Sequence, residues 1–291
     1  MKKIGIVLGG GGAKGAFQIG ALEQLMAKIK DDGDQLVAVS GTSIGAMNGA
    51  FVASGQFDLL KKIWLGFTEK NCPLIQSGKL GPVAGLFLRG YSYKSEPVYK
   101  FFKDNLDVSA LVRSNIEYCN TRVCLSDGAT LLGGTFTSAC AETKKDHDII
   151  SEIMASMSAI PLVPSVPVYG ENCVDGGFRD TIPVKALLST AGKLDVVYVI
   201  TCNPTNRVAY PKNLDNTVKS LWSKIKFVYN DILWDEISRN DIELGKLKHW
   251  GNKEYHVVAP AVLDISSIEF SSDKIRKAIA QGTDTFNKGY K

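Results

Sequence analysis

A short apolar run that ends in four consecutive glycines constrains this chain more than any other feature. Residues 3–8 are compact and apolar, glycines occupy positions 9–12, and from Ala13 onward apolar residues recur at helical spacing. This pattern predicts a β-strand, a tight turn and an α-helix. The same order returns at once, because a second apolar run at residues 36–40 leads through another glycine turn into a helix that extends to about residue 54.

These two strand–turn–helix units predict how the first strands pair. Consecutive strands that are joined through a helix lie parallel, with right-handed crossovers. Farther along, residues 196–200 form a continuous apolar run, which is typical of a strand covered on both faces. The sequence therefore predicts an α/β protein with a mainly parallel central sheet.

Length and composition favour one soluble globular domain. The chain has 291 residues, of which 45% are hydrophobic and 22% are charged, which excludes collagen-like and disordered classes. No linker rich in Pro, Ser and Gly separates two halves, so we expect a single domain over residues 1–291. The formal charge of +4 is too diffuse to indicate nucleic-acid binding, and no stretch approaches the roughly 20 apolar residues of a spanning helix.

The cysteines indicate reduced, mostly buried thiols. They are scattered, without a C-x-x-C pair or a Cys/His cluster at zinc spacing, so we expect a cytoplasmic location and no metal site. The N-terminal residues resemble a signal peptide only briefly, because glycine ends the apolar run and Lys14 follows; a first strand explains them better. The six cysteines are Cys72, Cys119, Cys124, Cys140, Cys173 and Cys202.

Beyond residue 67 the periodicity becomes less regular. Residues 68–95 are rich in Gly, Lys and Ser around an apolar island at residues 86–88, and we interpret them as a mobile loop and candidate lid. Three prolines, at positions 161, 164 and 167, predict an extended segment. Further patterns predict strands at residues 116–124, 131–137 and 255–259, and helices at 148–158, 183–190 and 216–247 and from Ser272 or Asp273 onward.

Ser43 lies in a G-x-S-x-G sequence between a predicted strand and a predicted helix. Gly41 and Gly45 stand two residues before and after it, so the backbone can turn sharply enough to expose the hydroxyl. The helix behind the serine adds a positive dipole end, which favours an anionic transition state. The context predicts a nucleophilic serine; the alternative is a serine that only caps the helix.

The first glycine turn offers backbone N–H groups that no side chain obstructs, in front of a helix N-terminus. Such a turn serves phosphate binding or an oxyanion hole. Gly10, Gly12 and Gly15 satisfy the spacing of a dinucleotide fingerprint, but that fingerprint requires an acidic residue at the end of the second strand. Ser40 and Gly41 occupy that place, which disfavours nucleotide binding.

A Walker loop is excluded because Lys14 is followed by Gly15 rather than by Ser or Thr. If the first two strands lie side by side, the glycine run comes next to Ser43, and an oxyanion hole uses both features. We favour that interpretation; nucleotide binding and a purely structural turn remain as alternatives.

A nucleophilic serine needs a base. Asp175 precedes Gly176 and Gly177 where a strand gives way to a loop, and a carboxylate within hydrogen-bond reach of the hydroxyl can act as that base. The same D-G-G sequence also fits an ordinary turn aspartate. The histidines lie beside no motif, so we expect surface or core roles for them. They are His147, His249 and His256.

Four blocks of this sequence have the order and spacing of motifs in a known family: residues 9–15, 41–45, 155–161 and 175–177. Together they resemble the patatin-like phospholipase family. The resemblance covers about residues 1–202, whereas the mainly helical part from about 203 to 291 matches nothing in the family. It implies a three-layer α/β/α domain with a Ser-Asp dyad, and neither a catalytic histidine nor a metal or other cofactor.

The resemblance also implies a role for each matched residue. Ser43 is the nucleophile, Asp175 is the base, and the oxyanion hole consists of backbone amides. The amides are those of Gly10, Gly11 and Gly12. The supporting positions are Lys14, Gly41, Gly45, Gly176 and Gly177. The family often has Arg where this chain has Lys14, and Lys lacks the planar fork of donors that Arg presents.

The implied activity is hydrolysis of fatty-acyl esters, of the phospholipase A or lysophospholipase type. Three alternatives remain: an esterase in which His249 or His256 completes a triad, a serine acyltransferase, and a non-catalytic lipid-binding protein. The implied partner is a phospholipid or another fatty-acyl ester, approached at the periphery of a membrane or micelle. Two stretches are candidates for lipid contact. The first is the apolar island at residues 86–88, flanked by Lys79, Arg89 and Lys94. The second is the group of basic and aromatic residues at 222–229, whose apolar side chains would also fit packing in the core.

Overall fold

The computed structural model describes residues 1–78, 81–135, 146–204 and 253–289, and of residues 146 and 147 it describes the backbone alone. Within these residues the strands are β1 Lys3–Leu8, β2 Gln35–Thr42, β3 Glu117–Cys124, β4 Thr130–Gly134, β5 Val166–Val168, β6 Glu171–Asp175, β7 Val196–Ile200 and β8 Glu254–Val258. The helices are α1 Ala16–Asp31, α2 Ile44–Ala53, α3 Phe57–Gly66, α4 Gly81–Arg89, α5 Glu96–Asn105, α6 Val108–Arg113, α7 Asp146–Ser156, α8 Val184–Thr190 and α9 Ser272–Asn287.

The strands form one mixed sheet in the order β5-β6-β3-β2-β1-β7-β8, and β4 also pairs with β3. Pairing is parallel from β3 through β2, β1 and β7 to β8. It is antiparallel between β3 and β4, between β3 and β6, and between β5 and β6. The predicted mainly parallel sheet is therefore confirmed, with antiparallel strands added at the β5 side.

Helices cover both faces of the sheet. Successive residues of a strand point to opposite faces. Ile6 of β1 packs in one cluster with Phe17 of α1, and the next residue, Val7, packs in another cluster with Leu187 of α8. Gly5 points toward α8, where a Cβ would lie 2.9 Å from a methyl group of Leu187, so the sheet and this helix approach closely. The three-layer α/β/α arrangement is confirmed.

Two expectations about local structure were wrong. The first helix begins at Ala16 rather than at Ala13, because residues Gly12–Gly15 form a 3₁₀ turn. Residues 68–95 do not form one long loop, since they contain a 3₁₀ turn at Pro73–Ile75 and helix α4. Val83, Phe87 and Leu88 of α4 are exposed and Gly85 is its buried residue, so this helix has no buried apolar stripe of the kind by which a surface helix is normally predicted.

The described residues after 252 add one strand to the sheet and one helix to the layer that contains α1. Strand β8 extends the sheet beside β7, and α9 crosses α1 at two glycines. A Cβ on Gly20 would collide with the carbonyl oxygen of Ile279, and one on Gly282 would collide with that of Phe17. Only glycine lets the two helix backbones approach this closely.

Several expectations lie outside the described residues. They concern the helix at residues 216–247, the thiol of Cys140 and the side chains of Lys79, His147 and His249. The single-domain organisation of the whole chain stays a prediction. The cysteines that the structure describes are buried free thiols, as expected. In the same part of the chain, every helix is too short or too polar to cross a membrane.

Candidate active site

Two strand ends meet beside β3. Thr42, the last residue of β2, pairs with Thr121 of β3, and Asp175, the last residue of β6, pairs with Arg122, the next residue along β3. Because β2 runs parallel and β6 antiparallel to β3, the two strands reach this point from opposite directions. Ser43, directly after Thr42, therefore comes next to the carboxyl group that ends β6.

Ser43 occupies a strained turn that its glycine neighbours make possible. Its φ of 56° and ψ of −125° lie in a region that side-chain-bearing residues rarely adopt, at a cost of about 1–3 kcal/mol. A Cβ on Gly41 would collide with the carbonyl oxygen of Gly45, and one on Gly45 would collide with that of Leu8. Both glycines of the G-x-S-x-G sequence are thus required for the close packing of β1, β2 and α2.

The Ser43 hydroxyl donates a hydrogen bond of 2.6 Å to Oδ2 of Asp175. The other carboxylate oxygen, Oδ1, accepts the backbone N–H of Gly177 at 2.7 Å. The N–H of Asp175 itself donates to the carbonyl oxygen of Ser158. A Cβ on Gly176 would collide with Thr121, so the D-G-G turn lies tightly against β3. Both oxygens of the carboxylate are oriented by these bonds.

Burial gives Asp175 an unusual pKa. The carboxyl group is almost completely shielded from solvent, and this desolvation raises its pKa to about 7, although the hydrogen bonds from Ser43 and the Gly177 N–H act in the opposite direction. A group that titrates near neutral pH can both accept and return a proton under ordinary conditions.

This raised pKa predicts a specific dependence of stability on pH. Because the folded-state pKa of Asp175 lies above its ordinary value of 3.8, the stabilising contribution is complete below about pH 4 and is lost as the pH rises to about 7. Between pH 4 and 8, wild type should lose about 4 kcal/mol of unfolding free energy relative to Asp175→Asn. Urea unfolding at several pH values measures the difference. Asp58→Asn, at an exposed carboxyl, is the control, and parallel curves for wild type and Asp175→Asn would contradict the expectation.

The glycine turn after β1 lies directly beside the serine. A Cβ on Gly10 would come within 3.2 Å of the Ser43 Cβ. The Gly10 N–H donates to the carbonyl oxygen of Thr181 at 2.9 Å, so it is not available to a ligand in this conformation. For the N–H groups of Gly11 and Gly12, the described part of the chain supplies no hydrogen-bond acceptor. Of the three expected amides, these two remain open to an incoming oxygen.

The loop that contains Ser267 packs against the glycine turn on the side away from the core. The Ser267 carbonyl oxygen accepts the Ala13 N–H at 2.8 Å, and a Cβ on Gly12 would collide with that oxygen. Gly12 also has a φ of +59°, which favours glycine. Lys14 donates from Nζ to Oδ1 of Asn203 at 2.6 Å, so its side chain is directed to the segment after β7.

A buried series of hydrogen-bonded side chains, which was not predicted from the sequence, contacts the glycine turn from the side of the core. The Gln18 amide nitrogen donates to the carbonyl oxygens of Gly9 and Ile200, and its amide oxygen accepts from Asn48. Asn48 Oδ1 in turn accepts the indole N–H of Trp64 at 2.9 Å. The available signal was two amide side chains, Gln18 on the apolar side of α1 and Asn48 within the otherwise apolar helix α2.

Ser156 is a second contact that the roles assigned from the sequence did not include. Its hydroxyl oxygen accepts the backbone N–H of Ser43 at 3.0 Å, and the side chain is fully buried at the end of α7. The acceptor helps to hold the strained Ser43 backbone. The sequence feature that could have indicated this contact is the position of Ser156 within the block at residues 155–161.

His256 lies far from this site. It sits on β8, where Nε2 is 2.7 Å from Oε1 of Glu254. Strands β1 and β7 separate β8 from β2, which at about 4.8 Å per strand places the histidine roughly 14 Å away in the sheet. Within the described residues, no group of three or more His, Cys, Asp or Glu side chains is placed to hold a metal ion.

A family model for patatin-like phospholipases matches residues 6–188 of this sequence. The chain belongs to the patatin-like phospholipase family. The matched range includes both Ser43 and Asp175 and ends within α8. The resemblance inferred from the four sequence blocks is therefore confirmed, and the match to the family model ends before β7, β8 and α9.

Curated relatives include fungal proteins named lysophospholipase NTE1. The sequence is 23% identical over 242 residues to that of Aspergillus terreus and 26% identical over 229 residues to that of Phaeosphaeria nodorum, covering 77% and 76% of this chain and 13% of each relative. The Saccharomyces cerevisiae protein is 25% identical over 194 residues, which are 62% of this chain and 10% of the relative. The chain thus spans about an eighth or less of these relatives.

Among solved structures, that of VipD from Legionella pneumophila is similar with a TM-score of 0.49 and 16% sequence identity. The alignment covers 99% of this chain and 66% of VipD.

Proposed function

We propose that this patatin-like protein hydrolyses fatty-acyl esters of phospholipids or lysophospholipids through a serine acyl-enzyme. The observation that carries the proposal is the 2.6 Å hydrogen bond from Ser43 to Asp175, at a strained turn beside the N–H groups of Gly11 and Gly12. The family supports lipid hydrolysis as the class of reaction, and the names of the fungal relatives support a lysophospholipid as one substrate. A cytoplasmic location remains a prediction of the sequence.

In the first half of the reaction, Ser43 Oγ attacks the ester carbonyl carbon while its proton passes to Oδ2 of Asp175. The carbonyl oxygen becomes an oxyanion that accepts hydrogen bonds from the N–H groups of Gly11 and Gly12. The bond to the alcohol then breaks, and Asp175 returns the proton to the departing oxygen. The acyl group is left on Ser43 as an ester.

In the second half, water attacks the acyl-enzyme and gives a proton to Asp175. The same two amides stabilise the new oxyanion, and Ser43 leaves with the proton that Asp175 returns, so a free fatty acid departs. A carboxyl pKa of about 7 suits a group that accepts and donates a proton in alternate steps. In comparable sites, loss of one oxyanion donor raises the barrier by about 3 kcal/mol.

The decisive experiment is hydrolysis of a lipid panel with mass-spectrometric identification of products. Wild type should release free fatty acid from at least one phospholipid or lysophospholipid, and Ser43→Ala should release none. Transfer of the acyl group to an alcohol acceptor in preference to water would instead support the acyltransferase alternative. Lipid binding without any product would support the non-catalytic alternative.

A fluorophosphonate probe should label Ser43 alone and in a one-to-one ratio. Ser43 combines a base at hydrogen-bond distance with adjacent free amides, whereas Ser156 is fully buried and its oxygen is occupied by the Ser43 N–H. Peptide mapping by mass spectrometry locates the adduct. An adduct on Ser156 or Ser158, or undiminished labelling of Ser43→Ala, would contradict the assignment.

A further inference from the structure

Helix α4 turns an apolar side outward. The side chains of Val83, Phe87 and Leu88 are 68%, 81% and 71% exposed, whereas Gly85 is buried. At about 100° per residue, Val83, Ala84, Phe87 and Leu88 share an arc of about 140° of the helix, and Gly85 lies outside this arc. We call these four residues the α4 face. In soluble proteins a helix normally directs such residues to the core, so an outward apolar face marks a contact surface.

The charged residue of α4 does not interrupt this face. Arg89 turns inward, where Nη2 donates to the carbonyl oxygen of Ser77 at 2.9 Å. Its guanidinium carbon also lies over the Tyr91 ring, 5.3 Å from the ring centroid. The outward side is therefore free of charge.

The sequence that contains α4 is basic overall. Residues 69–96 contain four basic residues, Lys70, Lys79, Arg89 and Lys94, against two acidic ones, Glu69 and Glu96. An apolar face flanked by positive charge fits a bilayer with anionic headgroups, because the apolar residues enter the interface while the cations remain near the phosphates. A second copy of this chain fits less well, since pairing of two such faces brings like charges together.

The α4 face is connected to the site through one short segment. The backbone N–H groups of Ser92 and Tyr93 both donate to the carbonyl oxygen of Leu162, at 3.1 and 2.8 Å. Four residues earlier, the carbonyl oxygen of Ser158 accepts the N–H of Asp175. Ile160, between these two contacts, is exposed. The segment that orients Asp175 thus also supports the loop after α4.

We propose that the α4 face docks the protein on an anionic lipid bilayer and brings the Ser43 site to its substrate. The choice of lipid as substrate rests on the function proposed above, whereas docking itself requires no hydrolysis. The two proposals can therefore be tested separately.

Docking is measured by co-sedimentation of the full chain, carrying Ser43→Ala, with phosphatidylcholine vesicles that contain phosphatidylglycerol. Changing Val83, Phe87 and Leu88 together to Ser should lower the partition coefficient at least about thirtyfold, because three apolar side chains leave the interface. The matched control changes Leu125 and Val262, which are 49% and 72% exposed elsewhere, to Ser and should change the coefficient less than about threefold. Circular dichroism checks the fold, and Phe87→Ser alone, with a smaller loss, serves if the triple variant misfolds.

A charge variant tests the identity of the surface. Changing Lys70 and Lys94 together to Gln should weaken binding to phosphatidylglycerol vesicles several-fold and leave binding to pure phosphatidylcholine nearly unchanged. Equal effects on both vesicles would overturn the anionic preference.

Other outcomes distinguish docking from its alternatives. Undiminished binding of the triple variant, or an equal loss in the control, would overturn docking through α4. A wild-type dimer that dissociates only in the triple variant, without vesicle binding, would make the face a contact between copies. A triple variant with altered activity on a water-soluble ester would make it part of the site. Vesicle binding by wild type without fatty-acid release would support docking and contradict the proposed function.

Discussion

Asp175→Asn is expected to lower ester hydrolysis about ten-thousandfold, whereas His256→Ala should retain most of the activity. The amide cannot take the proton that Ser43 must lose, although its oxygen can still accept the Gly177 N–H and its NH2 group can donate to the Ser43 hydroxyl oxygen. The loss is not expected to come from unfolding, since the native environment already disfavours a charged group at this position.

Initial rates on a water-soluble ester, normalised to the concentration of folded protein checked by circular dichroism, measure this effect apart from lipid docking. His256→Ala is the control because its imidazole lies beside Glu254 and two strands separate its strand from β2. His147→Ala and His249→Ala complete the series and should also remain active. A thousandfold loss in any histidine variant that keeps its fold would favour the esterase with a Ser-His-Asp triad.

Gly12→Ala is expected to lower kcat at least about a hundredfold. Gly12 has a φ of +59°, and a Cβ there would collide with the carbonyl oxygen of Ser267, so the turn must move and its free amides leave the vicinity of Ser43. The effect should fall on kcat more than on KM, because the oxyanion forms only as the reaction proceeds.

The matched control for Gly12→Ala is Gly55→Ala. Gly55 has a φ of +75°, but nothing lies within 4 Å of a Cβ built there. This control carries the same kind of backbone strain, about 1–2 kcal/mol, without the collision. It should lower the melting temperature and leave kcat unchanged. Full activity of Gly12→Ala at unchanged stability would exclude the glycine turn as the source of oxyanion donors.

The sequence by itself determined the local units of this protein. The apolar runs of β1 and β2, each followed by glycines and a helical pattern, were sufficient to predict two strand–turn–helix units and their parallel pairing. The G-x-S-x-G and D-G-G sequences marked Ser43 and Asp175 as candidates, and the family resemblance of the four blocks implied their roles. These features depend on residues within a few positions of one another, where periodicity and the absence of a Cβ leave few conformations.

Only the tertiary structure decided which groups come into contact, which hydrogen bonds they form and how far each is shielded from water. Asp175 reaches Ser43 because β2 and β6 end at adjacent residues of β3, and its pKa rises because the packed chain excludes water. The Gly10 amide is occupied by the Thr181 carbonyl oxygen, which lies far away in sequence. Hydrogen bonding and desolvation depend on neighbours brought together by folding, so no local pattern encodes them.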